Sequence, residues 1–82
     1  MNAFEEIDVH NMTKDQAKVA IDARLKRCAK GQVYTLTVIH GYHGGTVLKD
    51  FVRSHYKNSP TVKRIEFGLN QGETQLILRD LY

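Results

Sequence analysis

The chain has 82 residues and a mass of 9.4 kDa, with 41% hydrophobic and 26% charged residues, one proline and no tryptophan, which is the make-up of a single domain over residues 1–82. The single Cys28 excludes an internal disulfide framework and a thiolate zinc cluster, and points to a reducing, cytoplasmic setting. No apolar run approaches the roughly 20 residues that cross a bilayer, and the acidic start Phe4-Glu5-Glu6 is unlike a signal or transit peptide, so no membrane partner is expected.

The formal net charge of +3 is unevenly spread. Residues 1–23 hold five acidic against two basic side chains, whereas residues 24–57 hold seven basic against Asp50 alone, together with three of the four histidines. A basic middle segment is either a solvated helix surface or a seat for an anionic partner such as nucleic acid.

In chain order, the apolar-polar alternation of Ile7, Asp8, Val9 and His10 predicts the end of a short strand beginning near Phe4. Thr13-Lys14-Asp15-Gln16 has the form of a capping box and starts a helix of about 17 residues. Ala17, Ala20, Ile21, Leu25 and Cys28 form its buried stripe, and Lys30-Gly31 stops it. Cys28 on that stripe reads as a small core residue and not as a reactive thiol. Val33 to Ile39, rich in β-branched residues, predicts a second strand, and strand, helix, strand in this order predicts a parallel right-handed unit.

After His40-Gly41-Tyr42-His43-Gly44-Gly45-Thr46 a second helix is expected, with Val47, Leu48, Phe51, Val52 and Tyr56 on its inner side and Asn58-Ser59-Pro60 ending it. His55 falls near its packed flank. Val62 to Phe67 and Thr74 to Leu78 read as an antiparallel hairpin. The fold class is therefore α/β, a two-layer sandwich of order βαβαββ with a mixed four-stranded sheet and both helices on one face.

Ligands of open α/β sheets bind beyond the carboxyl ends of the strands, where this chain carries His10 on the first strand and His40 on the second. Asp8 and His10 are two residues apart, so on a strand both project from one face about 6.5 to 7 Å apart. The glycine-rich run from Gly41 to Thr46 enters a helix, and amides at such a place attract phosphate. Tyr42 there could stack on a base. Each element also has a plain structural reading. Asp8 could cap a turn, a strand histidine could be packed and hydrogen-bonded, and the loop lacks both the G-x-G-x-x-G order and a P-loop lysine.

Taken together, Ile7-Asp8-Val9-His10 before a capped helix and His40-Gly41-x-x-x-Gly45 before another resemble the two signature segments of the Smr (small MutS-related) domain. Val62 to Phe67 and the closing apolar strand suit its later part, so the resemblance covers essentially the whole chain. The first motif commonly reads Leu-Asp-Leu-His-Gly and the second His-Gly-x-Gly-x-Gly. Here Asn11 replaces the first motif's glycine, His43 stands at the second motif's middle glycine, and the approach to the last strand is Asn70-Gln71-Gly72-Glu73.

The resemblance implies a fold similar to the C-terminal domain of bacterial translation initiation factor three. It also implies a nuclease or nucleic-acid-binding module acting on RNA or on nicked or branched DNA, with the ribosome as a further partner. On this reading His10 and His40 share general acid and base roles in phosphodiester cleavage, because imidazole changes charge near neutral pH. Asp8 orients His10, and the residues 41–46 with Lys49 and Arg53 hold the phosphate. No cofactor is firmly implied; a dependence on divalent metal would draw on Asp8, His10, His40 and His43. The other function class is a nucleic-acid-binding module without turnover, and a weaker third is a protein adaptor.

Overall fold

In the computed structural model, which describes residues 3–41, 47–67 and 71–79, six elements appear in the expected order. They are β1 (Phe4–Asp8), α1 (Lys14–Gly31), β2 (Thr35–Ile39), α2 (Val47–His55), β3 (Arg64–Glu66) and β4 (Glu73–Ile77), with a 3-10 turn over Tyr56–Asn58 after α2. The sheet order is β1-β2-β4-β3. β1 and β2 are parallel neighbours, and β4 is antiparallel to both β2 and β3, which is the mixed four-stranded sheet the pattern predicts. Among the described residues no helix is long and apolar enough to cross a membrane.

Strand alternation divides the sheet into two unlike faces. On the helix-covered side Ile7, Val9, Leu36, Val38, Leu76 and Leu78 meet Ala17, Ile21, Leu25 and Cys28 of α1 and Val52 and Tyr56 at α2. Leu36, Leu76 and Ile21 are wholly buried, and each such side chain stabilises the fold by about 1.5–3 kcal/mol. Tyr56 ties the two helices by donating to Asp22 Oδ1 at 2.8 Å. Burial, and next the Asp22 contact, push the phenol pKa upward, so the hydroxyl remains a donor. Cys28 is a buried free thiol on the expected stripe, and burial pushes its pKa up.

The uncovered face reads as rows across the strands: Phe4, Thr35, Ile77 and Arg64; then Glu6, Thr37, Gln75 and Glu66; then Asp8, Ile39 and Glu73. At the edge, Arg24 of α1 reaches over β1 and donates from Nη1 to the Glu6 carbonyl at 3.0 Å and to Glu5 Oε1 at 3.4 Å.

Several expectations need correcting in detail. β1 stops at Asp8, so Val9 and His10 lie outside it, and β3 is only three residues long. Val47 is 64% exposed and is not an inner residue of α2. His55 is exposed, though its ring stacks on Phe51 with centroids 5.0 Å apart and meets the edge of Tyr56.

The capping box of α1 forms as expected: Thr13 Oγ1 accepts from the Gln16 amide and Gln16 Oε1 accepts from the Thr13 amide. At the other end Gly31 is still helical and the left-handed residue is Gln32, φ 61°, whose amide donates to the Cys28 carbonyl. Glycine therefore sits one position too early for the left-handed role it usually fills.

Thr13→Ala should lower stability by about 1 kcal/mol through loss of the cap. Gln32→Gly should move it the other way, by about 0.5 kcal/mol, as relief of left-handed strain exceeds the extra freedom of glycine in the unfolded chain. Urea midpoints of the two variants should fall on opposite sides of the wild type with unchanged slopes.

Candidate active site at the carboxyl ends of β1 and β2

Beyond Asp8 the chain stays beside β2 for one more residue, with the Val9 amide donating to the Ile39 carbonyl at 2.9 Å, and then turns, with the Met12 amide closing on the Val9 carbonyl. His10 sits in this turn. Its ring curls back so that Nδ1 bonds Asp8 Oδ1, and the same oxygen accepts the His10 backbone amide at 3.0 Å. The strand geometry that would hold the two side chains 6.5 to 7 Å apart is thus replaced by direct contact, because the strand has already ended.

Asp8 therefore closes the turn and orients an imidazole with one oxygen. The ring bond and then the amide bond from His10 hold its carboxyl below the ordinary value of 3.8, so it is an ionised acceptor at neutral pH. An ionised carboxylate takes the hydrogen of Nδ1 and directs Nε2 to act as the reactive nitrogen. No described residue bonds that nitrogen, and both side chains are about half exposed, 50% for His10 and 53% for Asp8.

His40, at the end of β2, has different surroundings. It faces the helix-covered side and is 4% exposed. Its Nδ1 bonds the Gly41 carbonyl at 2.9 Å and its Nε2 bonds Thr74 Oγ1 at 2.9 Å. A carbonyl only accepts, so Nδ1 carries the hydrogen and Nε2 accepts the Thr74 hydroxyl. Thr74 Oγ1 in turn accepts Nε–H of Arg53 at 2.9 Å. The relay Arg53 to Thr74 to His40 to the Gly41 carbonyl is satisfied only by a neutral imidazole. Burial is the main force pushing the His40 pKa below 6.5, and the positive charges of Arg53 and Lys49 add to it against the Gly41 bond.

Gly41 lies between the two histidines. Its φ is +74°, and a Cβ there would come 3.2 Å from His10 Cβ, so any other residue would be strained by the backbone angle and would crowd the His10 turn. The His40 and Gly41 amides both donate to the Gly72 carbonyl at 2.9 Å, which commits the Gly41 amide within the protein. Tyr42, His43, Gly44, Gly45 and Thr46 lie outside the described residues. Lys49 is half-buried in the first turn of α2.

Arg53, expected to face a phosphate, also has internal partners. Beyond Thr74, its Nη2 donates to the Glu73 carbonyl at 3.5 Å, and its guanidinium carbon lies 4.2 Å from the centre of the Phe67 ring. Two of its five N–H donors are thereby used. Among the described residues no group of three or more His, Cys, Asp or Glu side chains could hold a metal ion. The described donors do not form the set expected for one, since the ring nitrogens of His40 are turned away to Gly41 and Thr74.

Thr74, Gly72 and Phe67 are parts of the site that the sequence reading does not single out. A threonine at an inward position of the otherwise apolar Thr74-Leu76-Leu78 face was the available signal for the first.

The family model described as the Smr domain matches residues 7–75, beginning at Ile7 of the Asp8-x-His10 segment. The chain belongs to the Smr domain family. It is 36% identical over 56 residues to the ribosome rescue factor SmrB of Buchnera aphidicola subsp. Baizongia pistaciae, covering 68% of this chain and 31% of that protein. The chain thus spans about a third of the length of this curated relative. The crystal structure of the Smr domain of Thermus thermophilus MutS2 has the same fold, with a TM-score of 0.85 at 22% identity over 93% of this chain and 99% of that one.

For this Smr domain, the His40 relay carries a pH signature. The folded state resists a proton that the unfolded chain accepts near 6.5, so its contribution is complete above that pH and is lost as the pH falls through the lowered folded value. Thermal midpoints should drop between pH 7 and pH 5 in the wild type and drop less in His40→Gln, whose neutral amide cannot charge. Parallel pH profiles would show that His40 is not held neutral by the fold. The depressed pKa of Asp8 acts in a separate window, below 3.8.

Proposed function

We propose that this Smr domain cleaves phosphodiester bonds of nucleic acid, RNA in the first instance, with His10 as the proton-transferring group and Asp8 as its orienting partner. The observation that carries the reading is the Asp8 and His10 pair itself. It is an ionised carboxylate bonded to one nitrogen of a half-exposed imidazole whose other nitrogen has no described partner, placed at the carboxyl ends of two parallel strands.

In the proposed reaction His10 Nε2 takes the proton of an RNA 2′-hydroxyl, and the 2′-oxygen attacks the adjacent phosphorus. The P–O5′ bond breaks, and the 5′-oxygen leaves with a proton. Asp8 stabilises the imidazolium that forms. The negative charge that builds on the phosphate is offset by Lys49 and by the remaining donors of Arg53.

His40, the other candidate acid, would have to release Thr74 and accept charge in a buried site. We therefore assign it to positioning: it holds the Gly41 turn against which His10 packs, and water supplies the proton for the leaving oxygen. An Smr relative named as a ribosome rescue factor supports RNA, and on the same ground the ribosome, as the setting.

The second reading is a binding module without turnover. It is favoured by the commitment of His40 and Gly41 to internal hydrogen bonds, which withdraws one of the two imidazoles, His10 and His40, to which the resemblance gives the acid and base roles. Its signature is affinity that falls steeply with salt and no cleaved product.

Purified protein incubated with labelled single-stranded RNA, duplex RNA and branched DNA, with and without excess chelator, separates these readings. His10→Ala and Asp8→Asn should each slow RNA cleavage by roughly 100-fold or more while leaving the thermal midpoint within a few degrees of the wild type. Full activity in His10→Ala would remove the proposed centre, and cleavage that survives chelator would remove the metal.

A further inference from the structure

Phe67 lies just past the end of β3. Alternation carries it to the same side of the sheet as Ile65, the side the helices cover, yet it is 64% exposed. The guanidinium of Arg53 on α2 lies over it, at 4.2 Å from the ring centre. That guanidinium is fixed in turn by Thr74 and the Glu73 carbonyl. One face of an exposed ring is thus covered by a cation that is itself hydrogen-bonded to β4.

The location gives this arrangement a use. From Phe67 the contacts run through Arg53, Thr74 and His40 to Gly41, which packs against His10. β3 is the outer strand opposite β1, so the ring stands about 14 Å across the strand ends from the His10 turn, on the side of α2. The uncovered sheet face carries Glu6, Asp8, Glu66 and Glu73 toward that end of the strands, with Asp8 bonded to His10 and Glu66 paired with Arg64, whereas α2 presents Lys49 and Arg53. A strand of nucleic acid lying along the α2 side meets Lys49, Arg53 and Phe67. Aromatic rings backed by arginine are suited to unpaired bases, since every base offers a stacking face and the cation adds to the contact.

We propose that Phe67, held by Arg53, is the stacking platform for an unpaired nucleobase of the bound strand, a few nucleotides from the phosphate that reaches His10. The platform makes the domain select single-stranded over fully paired substrate, because a base within a duplex cannot present its face. The inference rests on the nucleic-acid part of the function proposed above and is independent of turnover.

The chain has no tryptophan, so Phe67→Trp places one reporter on the platform without background. The probe is a six-residue 2′-O-methyl oligoadenylate, which binds without offering a 2′-hydroxyl for cleavage, followed in parallel by anisotropy of an end label. The expected result is quenching of the tryptophan that saturates together with the anisotropy, and no quenching by inorganic polyphosphate of matched charge. Phe67→Ala should weaken oligoadenylate binding roughly ten-fold to a hundred-fold, whereas Phe67→Tyr should stay close to the wild type.

Tryptophan emission unchanged across the anisotropy transition, equal quenching by polyphosphate, wild-type affinity in Phe67→Ala or no binding of the oligonucleotide would each overturn the platform. Quenching that persists while wild-type protein leaves natural RNA uncut would instead overturn the nuclease reading and leave the platform standing.

Discussion

The arrangement of the candidate site depends on one buried hydrogen-bonded relay, Arg53 to Thr74 to His40 to the Gly41 carbonyl. It joins α2, β4 and β2 at the point where the chain leaves the sheet for the 42–46 segment. Each member has a complementary role: the guanidinium only donates, the hydroxyl both accepts and donates, and the neutral imidazole accepts on one nitrogen and donates on the other. Because Gly41 receives the last bond and lies against His10 Cβ, the buried histidine braces the turn that carries the exposed one, whose ring Asp8 orients. A network of this kind is costly when one partner is lost, since the remaining polar groups are left unsatisfied in a low-dielectric setting.

The order and type of the elements were legible because local and global signals agree. The Thr13 to Gln16 capping box, the inward stripe of α1 and the β-branched run of β2 each point to a single state. The pairing of Asp8 with His10 was legible as adjacency but not as geometry. Nothing in the four-residue pattern marks where β1 ends, and ending it at Asp8 turns a spaced pair into a bonded one. The burial of His40 was hidden for a related reason: its partner Thr74 is 34 residues away, and strand register decides whether the two meet. Gln32 escaped because glycine next to it is the usual left-handed residue, and the helix ran one residue further than that signal suggests.

The site accordingly divides its polar residues by exposure. Asp8 and His10 are open to solvent and carry the proposed chemistry, while His40 and Thr74 are enclosed and keep the turn in place. Charge follows the same division in space, with carboxylates along one face of the sheet end and cations of α2 along the other. A domain of this size, with a total stability of roughly 4 to 12 kcal/mol, gains from such economy, since the residues that orient the site also tie helix to sheet.

The reach of Arg24 across β1 has a consequence at the level of the whole molecule. An outer strand with free carbonyls and amides, and with Phe4 61% exposed on it, is a template on which another chain can extend the sheet. By occupying the Glu6 carbonyl and leaning on Glu5, Arg24 blocks the middle of that template with a charged side chain. A reactive centre that must stay open at one end of the sheet is thereby compatible with an outer strand whose middle is guarded against pairing with another chain.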